Sequence, residues 1–243
     1  LFNRGAQQVR LPRVVDCGPF FPVLVSFRRA AVPHLVPLLG SGDAEVRFYA
    51  TFLFSELVYP EAAHALVPRL FDRDYQLRIL AIDVLKGFRG TGEFEEALRD
   101  LRRTAESEAT DPDRRQIAAE ALGELRDRAA IPTLLGLLGN EDPTIAETAA
   151  QALSTIARQD FGMSRRKWRA WWEKNREQHR VEWLIDALLH PSAAIRLAAS
   201  EELRRLTKQS FGYHFNQPKR ERQKAQEQYS EWWKKEGRAR FGA

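Results

Sequence analysis

Two sets of residues in this chain have types and spacing that could do chemistry. The first is a stripe of carboxylates and amides that recurs at helical intervals: Asp83, Gln116, Glu120, Glu124, Glu147, Gln151 and Glu201. Such a stripe attracts a basic or amphipathic protein segment and repels a phosphate backbone, whose affinity comes from neutralised phosphates. Its plain alternative is a solvated helix face. The second set alternates cations with indoles. Arg165, Arg166, Lys167 and Arg169 surround Trp168, Trp171 and Trp172, while Lys219, Arg220 and Arg222 precede Trp232 and Trp233. Guanidinium groups on phosphates and indoles stacked on bases would make a single-stranded nucleic-acid groove. The same residues would also fasten an inserted helix to its neighbours, with Trp buried and cationic stems laid over apolar surface. The fastener is the better reading, because adjacent tryptophans point in different directions. The cationic set then stands as an alternative anionic-ligand patch.

Catalytic signatures are missing. His34, His64, His179, His190 and His214 are scattered, and none precedes a glutamate. There is no H-E-x-x-H, glycine-rich phosphate loop or nucleophile elbow. His34 and His64 fall among Ala, Val and Leu and read as partly buried packing residues. We therefore expect no enzyme, cofactor or metal, although carboxylates from different repeats could still converge.

Charge separates the chain into two parts. Residues 1–162 carry 19 Lys and Arg against 23 Asp and Glu, and residues 163–243 carry 19 against 10. All six tryptophans lie in the basic part. No run of 18 apolar residues suggests a membrane span. Cys17 is the single cysteine, so an internal disulfide is impossible and a reducing, cytoplasmic compartment is the expectation. The chain begins at Leu1 and reads as a piece of a longer protein.

The elements that position these residues follow from an internal repeat. An Asp or Ser is followed four residues on by a position that is usually Arg, and three further on by a small residue. The instances are Asp43/Arg47/Ala50, Asp74/Arg78/Ala81, Asp111/Arg115/Ala118, Asp142/Ala146/Ala149 and Ser192/Arg196/Ala199. Asp and Ser suit a helix N-cap, and proline suits the next position, as at Pro112 and Pro143. Each instance opens the second helix of a pair, and a shorter apolar helix lies ahead of it: 31–39, 62–71, 95–105, 130–138 and 181–189. The repeated Arg reads as a partner for the Asp of the adjacent unit. Positions one, five and nine after it form the outward stripe, which starts at Phe48 and Phe52. Those two rings could alternatively pack under the N-terminal segment "CGPFFPVLVSF". Phe161-Gly162 and Phe211-Gly212 read as the ends of second helices, with the glycine as a left-handed C-cap.

The stretches "AAVPHLVPLLGSGDAEVRFYA", "AAIPTLLGLLGNEDPTIAETAAQALSTIA" and "VEWLIDALLHPSAAIRLAASEELRRLT" resemble HEAT repeats, in particular the short bacterial variety known as PBS-lyase HEAT-like repeats. The resemblance covers about residues 30–208. It implies an all-α solenoid, a right-handed superhelix of about five helix pairs whose second helices line a concave, partner-facing side. Such a stack is a protein-interaction scaffold, a monomer or one domain of a larger chain. HEAT-like DNA glycosylases supply the alternative of a nucleic-acid binder. The organisation expected is a capping segment over 1–29, repeats one to four over 30–162, an inserted Trp-rich helix over 163–180, a fifth repeat over 181–210 and a C-terminal cap over 211–243.

Overall fold

The computed structural model describes residues 14–16 and 18–241. Cys17 and residues 1–13 of the expected N-terminal cap lie outside the described residues. Those described form helices and connecting loops, with no strand among them. They divide into two compact units, the first ending at Ala121 and the second beginning at Leu122.

In the first unit, α1 (Phe20–Ser26) precedes a helical stretch containing α2 (Val32–Leu35), which turns into α3 (Ala44–Leu53). A second such stretch contains α4 (Ala63–Leu66) and leads to α5 (Tyr75–Lys86). The third pair is α6 (Gly92–Glu106) with α7 (Pro112–Glu124), and α7 runs past the unit boundary. The first helices of pairs one and two are less regular than their apolar spacing predicts. Proline has no N–H for an i→i−4 bond, so at Pro37 and Pro68 the α-helix gives way to 3-10 turns, Val36–Gly40 and Val67–Phe71.

The second unit holds α8 (Ile131–Leu137), α9 (Pro143–Ala157), α10 (Arg165–Asn175), α11 (Arg180–Ala187), α12 (Ala193–Thr207) and α13 (Lys219–Trp232). A π-helical turn, Trp233–Gly237, joins α13 to the short α14 (Arg238–Phe241). α8 packs on α9 and α11 on α12, while α10 lies against α8 and α13 against α11. These are the helix pairs of an α-solenoid, with an inserted helix after the fourth pair and a further helix after the fifth.

Caps and small residues do what their chemistry requires. Asp43 accepts from the Glu45 N–H at 2.8 Å, Asp74 from Gln76 at 2.8 Å, Asp111 from Asp113 at 3.0 Å and Asp142 from Thr144 at 2.8 Å. Ser192 occupies the same position but its side chain makes no capping bond. Ala50, Ala81, Ala118, Ala149 and Ala199 are all buried. Close approach reaches its limit at Gly123, where a Cβ would stand 2.8 Å from the Cα of Ala152. Any larger residue there would force α7 and α9 apart.

Candidate binding surfaces

The repeated arginine has a local task. Arg47 Nη1 donates to the carbonyls of Ser41 and Gly42 at 3.0 and 3.1 Å, and Arg78 Nη1 to those of Asp72 and Arg73 at 2.8 and 3.5 Å. Arg196 Nη1 does the same to His190 and Pro191, both at 2.7 Å. Each guanidinium clasps carbonyls six and five residues behind it and thereby closes the loop inside its own pair. The expected bond to the cap Asp of the adjacent unit is not the one made: Arg47 binds Asp72, two residues before the Asp74 cap, at 2.8 and 3.0 Å. Burial raises the Asp72 carboxyl, but bonds from Arg47 and the Asp74 N–H hold it below the usual carboxylate range. Arg115, behind a longer loop, donates instead to the Ala105 carbonyl at 3.3 Å.

A second loop device was not legible in the repeat. Two residues before four of the five caps, a side chain accepts from the cap residue's N–H: Ser41 at 3.2 Å, Asp72 at 3.1 Å, Asn140 at 2.9 Å and His190 at 3.0 Å, while Ala109 before Asp111 has no side-chain acceptor. Four different residue types share one acceptor role, so no identity pattern marks it. A polar acceptor at the fixed offset of minus two is the signal that could have found it.

The carboxylate stripe lies outward on the second helices. In the first unit Asp83 is exposed and bonds Lys86 at 2.9 Å, while Gln116 and Glu120 are half-buried. In the second unit Glu124, Glu147, Gln151 and Glu201 are exposed. Glu120 and Glu124 already have polar partners in the fold, whereas Glu147 and Glu201 form no ion pair among the described residues. Apolar side chains share the stripe. Ile79 is 38% exposed one turn before Asp83, and Leu197 is 36% exposed one turn before Glu201. At the start of the stripe Phe52 is buried, and Phe21 of α1 lies 5.5 Å from Tyr49 and 6.4 Å from Phe52. Phe52 therefore belongs to the packing under α1, not to the outward face. His34 and His64 are exposed rather than partly buried, because Val32, Leu35, Ala63 and Leu66 take the inward positions of their short helices. Among the described residues, no cluster of three His, Cys, Asp or Glu side chains could hold a metal ion.

The tryptophans fasten. Trp168, Trp183 and Trp233 are buried. Their indole N–H groups donate to Gly162 O at 2.9 Å, Asn175 O at 2.9 Å and Glu182 Oε1 at 3.0 Å. Trp171 and Trp172 are half-buried, with ring centroids 4.9 and 6.1 Å from Trp183. Arg128 covers the Trp183 face at 4.4 Å. Gly162 and Gly212 have positive φ, +51° and +68°, but they do not end α9 and α12. Those helices end in left-handed Arg158 and Lys208, at φ +56° and +61°, and each glycine bends the loop four residues later.

The left-handed arginines contribute to a cluster that the sequence did not reveal. Glu202 of α12 is 7% exposed, and Arg126, Arg158 and Arg180 converge on it at 3.0, 3.1 and 2.8 Å. Arg180 also donates to the Ile156 carbonyl near the end of α9. Arg165, Arg166, Lys167 and Arg169 are exposed on α10, as are Lys219 and Arg220 on α13. Arg222 is half-buried and donates Nε to the Gln217 carbonyl at 3.0 Å. A shallow cavity of about 450 Å3 is lined by Arg165, Arg166, Arg169, Ala170 and Glu173.

Helix pairs that bury small residues between them, close their own loops and repeat define an all-α repeat protein of the solenoid class. Residues 105–161, spanning α7 to α9, match the family model of HEAT repeats. HEAT repeats generally mediate protein–protein interactions. Among solved structures, an engineered protein determined as a Northeast Structural Genomics Consortium target is similar at 22% identity, over 79% of this chain and 85% of its own, with a TM-score of 0.39. Comparison with curated proteins gives no match. Among the described residues no single helix is long and apolar enough to cross a membrane.

Proposed function

We propose that this chain is a non-catalytic, cytoplasmic scaffold that binds a basic or amphipathic protein segment along the second helices of its repeats, with the α13 region as its C-terminal cap. The observation that carries the reading is the pairing of free carboxylate with exposed apolar surface. On α12, Leu197 and Glu201 stand one turn apart; on α9, Glu147 adds a second unpaired carboxylate one turn from the amide of Gln151. Side chains four apart share one helix face. A helix presenting leucine and lysine in alternate turns would bury apolar area against such faces and pair its ammonium groups with the carboxylates, the groove mode of helix recognition. Leu197 is only 36% exposed, so covering what remains would contribute about 0.5–1 kcal/mol.

The test uses a fluorescein-labelled synthetic helix of alternating leucine and lysine turns and reads its anisotropy. Binding should weaken at least tenfold in the Glu147→Lys, Glu201→Lys double variant while circular dichroism stays the same. Equal affinity in wild type and double variant would remove these faces from the binding surface.

A further inference from the structure

α10 carries four cations that its packing role does not require, and the chain contains its own control. Phe161 meets Trp168 with ring centroids 4.9 Å apart at 79°; Phe211 meets Tyr229 at 4.8 Å and 83°. Both contacts anchor an inserted helix, α10 against α8 and α13 against α11. Aligning Trp168 with Tyr229 places Arg165, Arg166, Lys167 and Arg169 opposite Gln226, Glu227, Gln228 and Ser230. The second copy packs with neutral and acidic residues at these positions, and Gln226 donates to the Ile185 carbonyl at 3.1 Å. Fastening therefore does not account for the cations of the first copy.

The four cations are exposed and make no ion pair or hydrogen bond among the described residues. Arg165 lies against Gly139, just past α8, so closely that a Cβ there would stand 3.1 Å from Nη1. Together with Arg166, Arg169, Ala170 and Glu173 it lines the cavity. Guanidinium groups present donor forks that match phosphate oxygens in pairs. Three of them, with Lys167 beside them, exceed the charge of a single phosphate monoester, and the shallow site gives access to an extended chain. Of the α10 indoles Trp168 is buried and Trp171 and Trp172 are half-buried against Trp183, so no ring offers a whole face to a base and a single strand loses much of its stacking affinity. A duplex, with one charge per about 1.7 Å of axis, supplies a dense row of phosphates without stacking.

We propose that the α10 cavity binds the phosphate backbone of a nucleic-acid duplex without regard to sequence. This site is separate from the second-helix faces, and either assignment can fail without the other. The test titrates a fluorescein-labelled 20-base-pair DNA duplex with wild type and with the Arg165→Gln, Arg166→Gln, Arg169→Gln triple variant over a salt series. Each phosphate contact adds about 0.9 to the log–log salt slope, so with four cations engaged the wild-type slope should be about −3.6 and that of the variant, which loses three, shallower by about 2.7. Affinity at low salt should fall at least tenfold in the variant. Its melting temperature should not fall, since Arg165 and Arg166 in the first turn of α10 oppose the helix dipole and the equivalent places in α13 hold no cation but Gln226, Glu227 and Ser230. Absence of binding at low salt would overturn the proposal. So would an equal loss from Lys219→Gln with Arg220→Gln, which lie outside the cavity. Displacement by poly-glutamate as effective as by unlabelled duplex would overturn it too, assigning the site to an acidic protein segment instead.

Discussion

Arg158 reaches Glu202 across 44 residues of sequence and donates both Nε and Nη2 to one carboxylate oxygen, at 3.2 and 3.1 Å. Arg126 shares that oxygen at 3.0 Å, and Arg180 holds the other at 2.8 Å. Burial pushes the Glu202 carboxyl up, but the Arg180, Arg126 and Arg158 guanidiniums together hold it below the usual carboxylate range. One buried anion thus ties the ends of α7 and α9 to α11 and α12. Removing one member of a buried ion cluster leaves the others uncompensated, at about 3–5 kcal/mol. Because Arg126 is a third exposed and can turn to water, Glu202→Gln should cost the lower figure, about 3 kcal/mol. Scanning calorimetry should show a melting temperature lower by on the order of 10 °C. A shift within 2 °C would mean that the cluster contributes nothing net.

Lys208 offers the opposite result. It ends α12 in the left-handed conformation at φ +61°, is exposed, and forms no ion pair among the described residues. A residue with a Cβ costs about 1–2 kcal/mol there, and glycine avoids most of that while losing some ground to its freer unfolded chain. Lys208→Gly should therefore stabilise by about 0.5–1 kcal/mol in urea denaturation. The same change at Arg158, whose left-handed backbone is alike, should destabilise, because its ion pair with Glu202 goes with it.

The arginine clasp gives a third prediction. Arg196 satisfies three carbonyls at once: His190 and Pro191 in its own loop and Phe215 at 2.8 Å in the loop before α13. Arg196→Met keeps the apolar stem and removes every donor. Those carbonyls are only partly shielded from water, so the loss should be about 1–2 kcal/mol. Amide hydrogen exchange should quicken in residues 190–192 and 213–217 and stay unchanged in α9. Uniform acceleration across the unit would show that the clasp is not local.

What could be read ahead of the structure divides along sequence distance. The Asp caps and the buried alanines were legible because their partners lie two to four residues away or at helical spacing. The role of Arg78 was not, since its acceptors are backbone carbonyls, which look the same whatever side chain sits there. Glu202 was invisible for the opposite reason. Its partners at 126, 158 and 180 come from three other elements, and within its own helix it looks like any glutamate beside Glu201. Gly162 and Gly212 were correctly read as needing positive φ and wrongly placed as helix ends, because Arg158 and Lys208 adopt that conformation first. Among the site candidates, the spacing predicted the exposure of Glu147 and Glu201. It could not predict that Glu120 and Glu124 already have partners in the fold.

Stability should depend on pH through two histidines that act as acceptors. His190 Nδ1 takes the Ser192 N–H at 3.0 Å, and His179 Nδ1 takes that of Val181 at 3.2 Å, with its ring stacked 4.9 Å from Trp233. Burial lowers both imidazoles below the ordinary value of 6.5, outweighing the opposite pull of Asp160 on His190 and of Glu182 on His179. Protonating Nδ1 would also turn an acceptor into a donor facing an N–H. Between the lowered folded values and 6.5 the unfolded chain binds more protons than the folded one, so stability falls as pH falls through that window and is constant just above it. The melting temperature should be level above about pH 6.5 and decline below it. Asn140 shows that an amide oxygen fills the same loop position as His190 without titrating. His190→Asn should therefore fold and make the decline shallower, and adding His179→Asn should flatten it until the carboxylates of Asp72, Glu182 and Glu202, all held low, begin to protonate. An unaltered slope in the double variant would place the pH dependence in other groups.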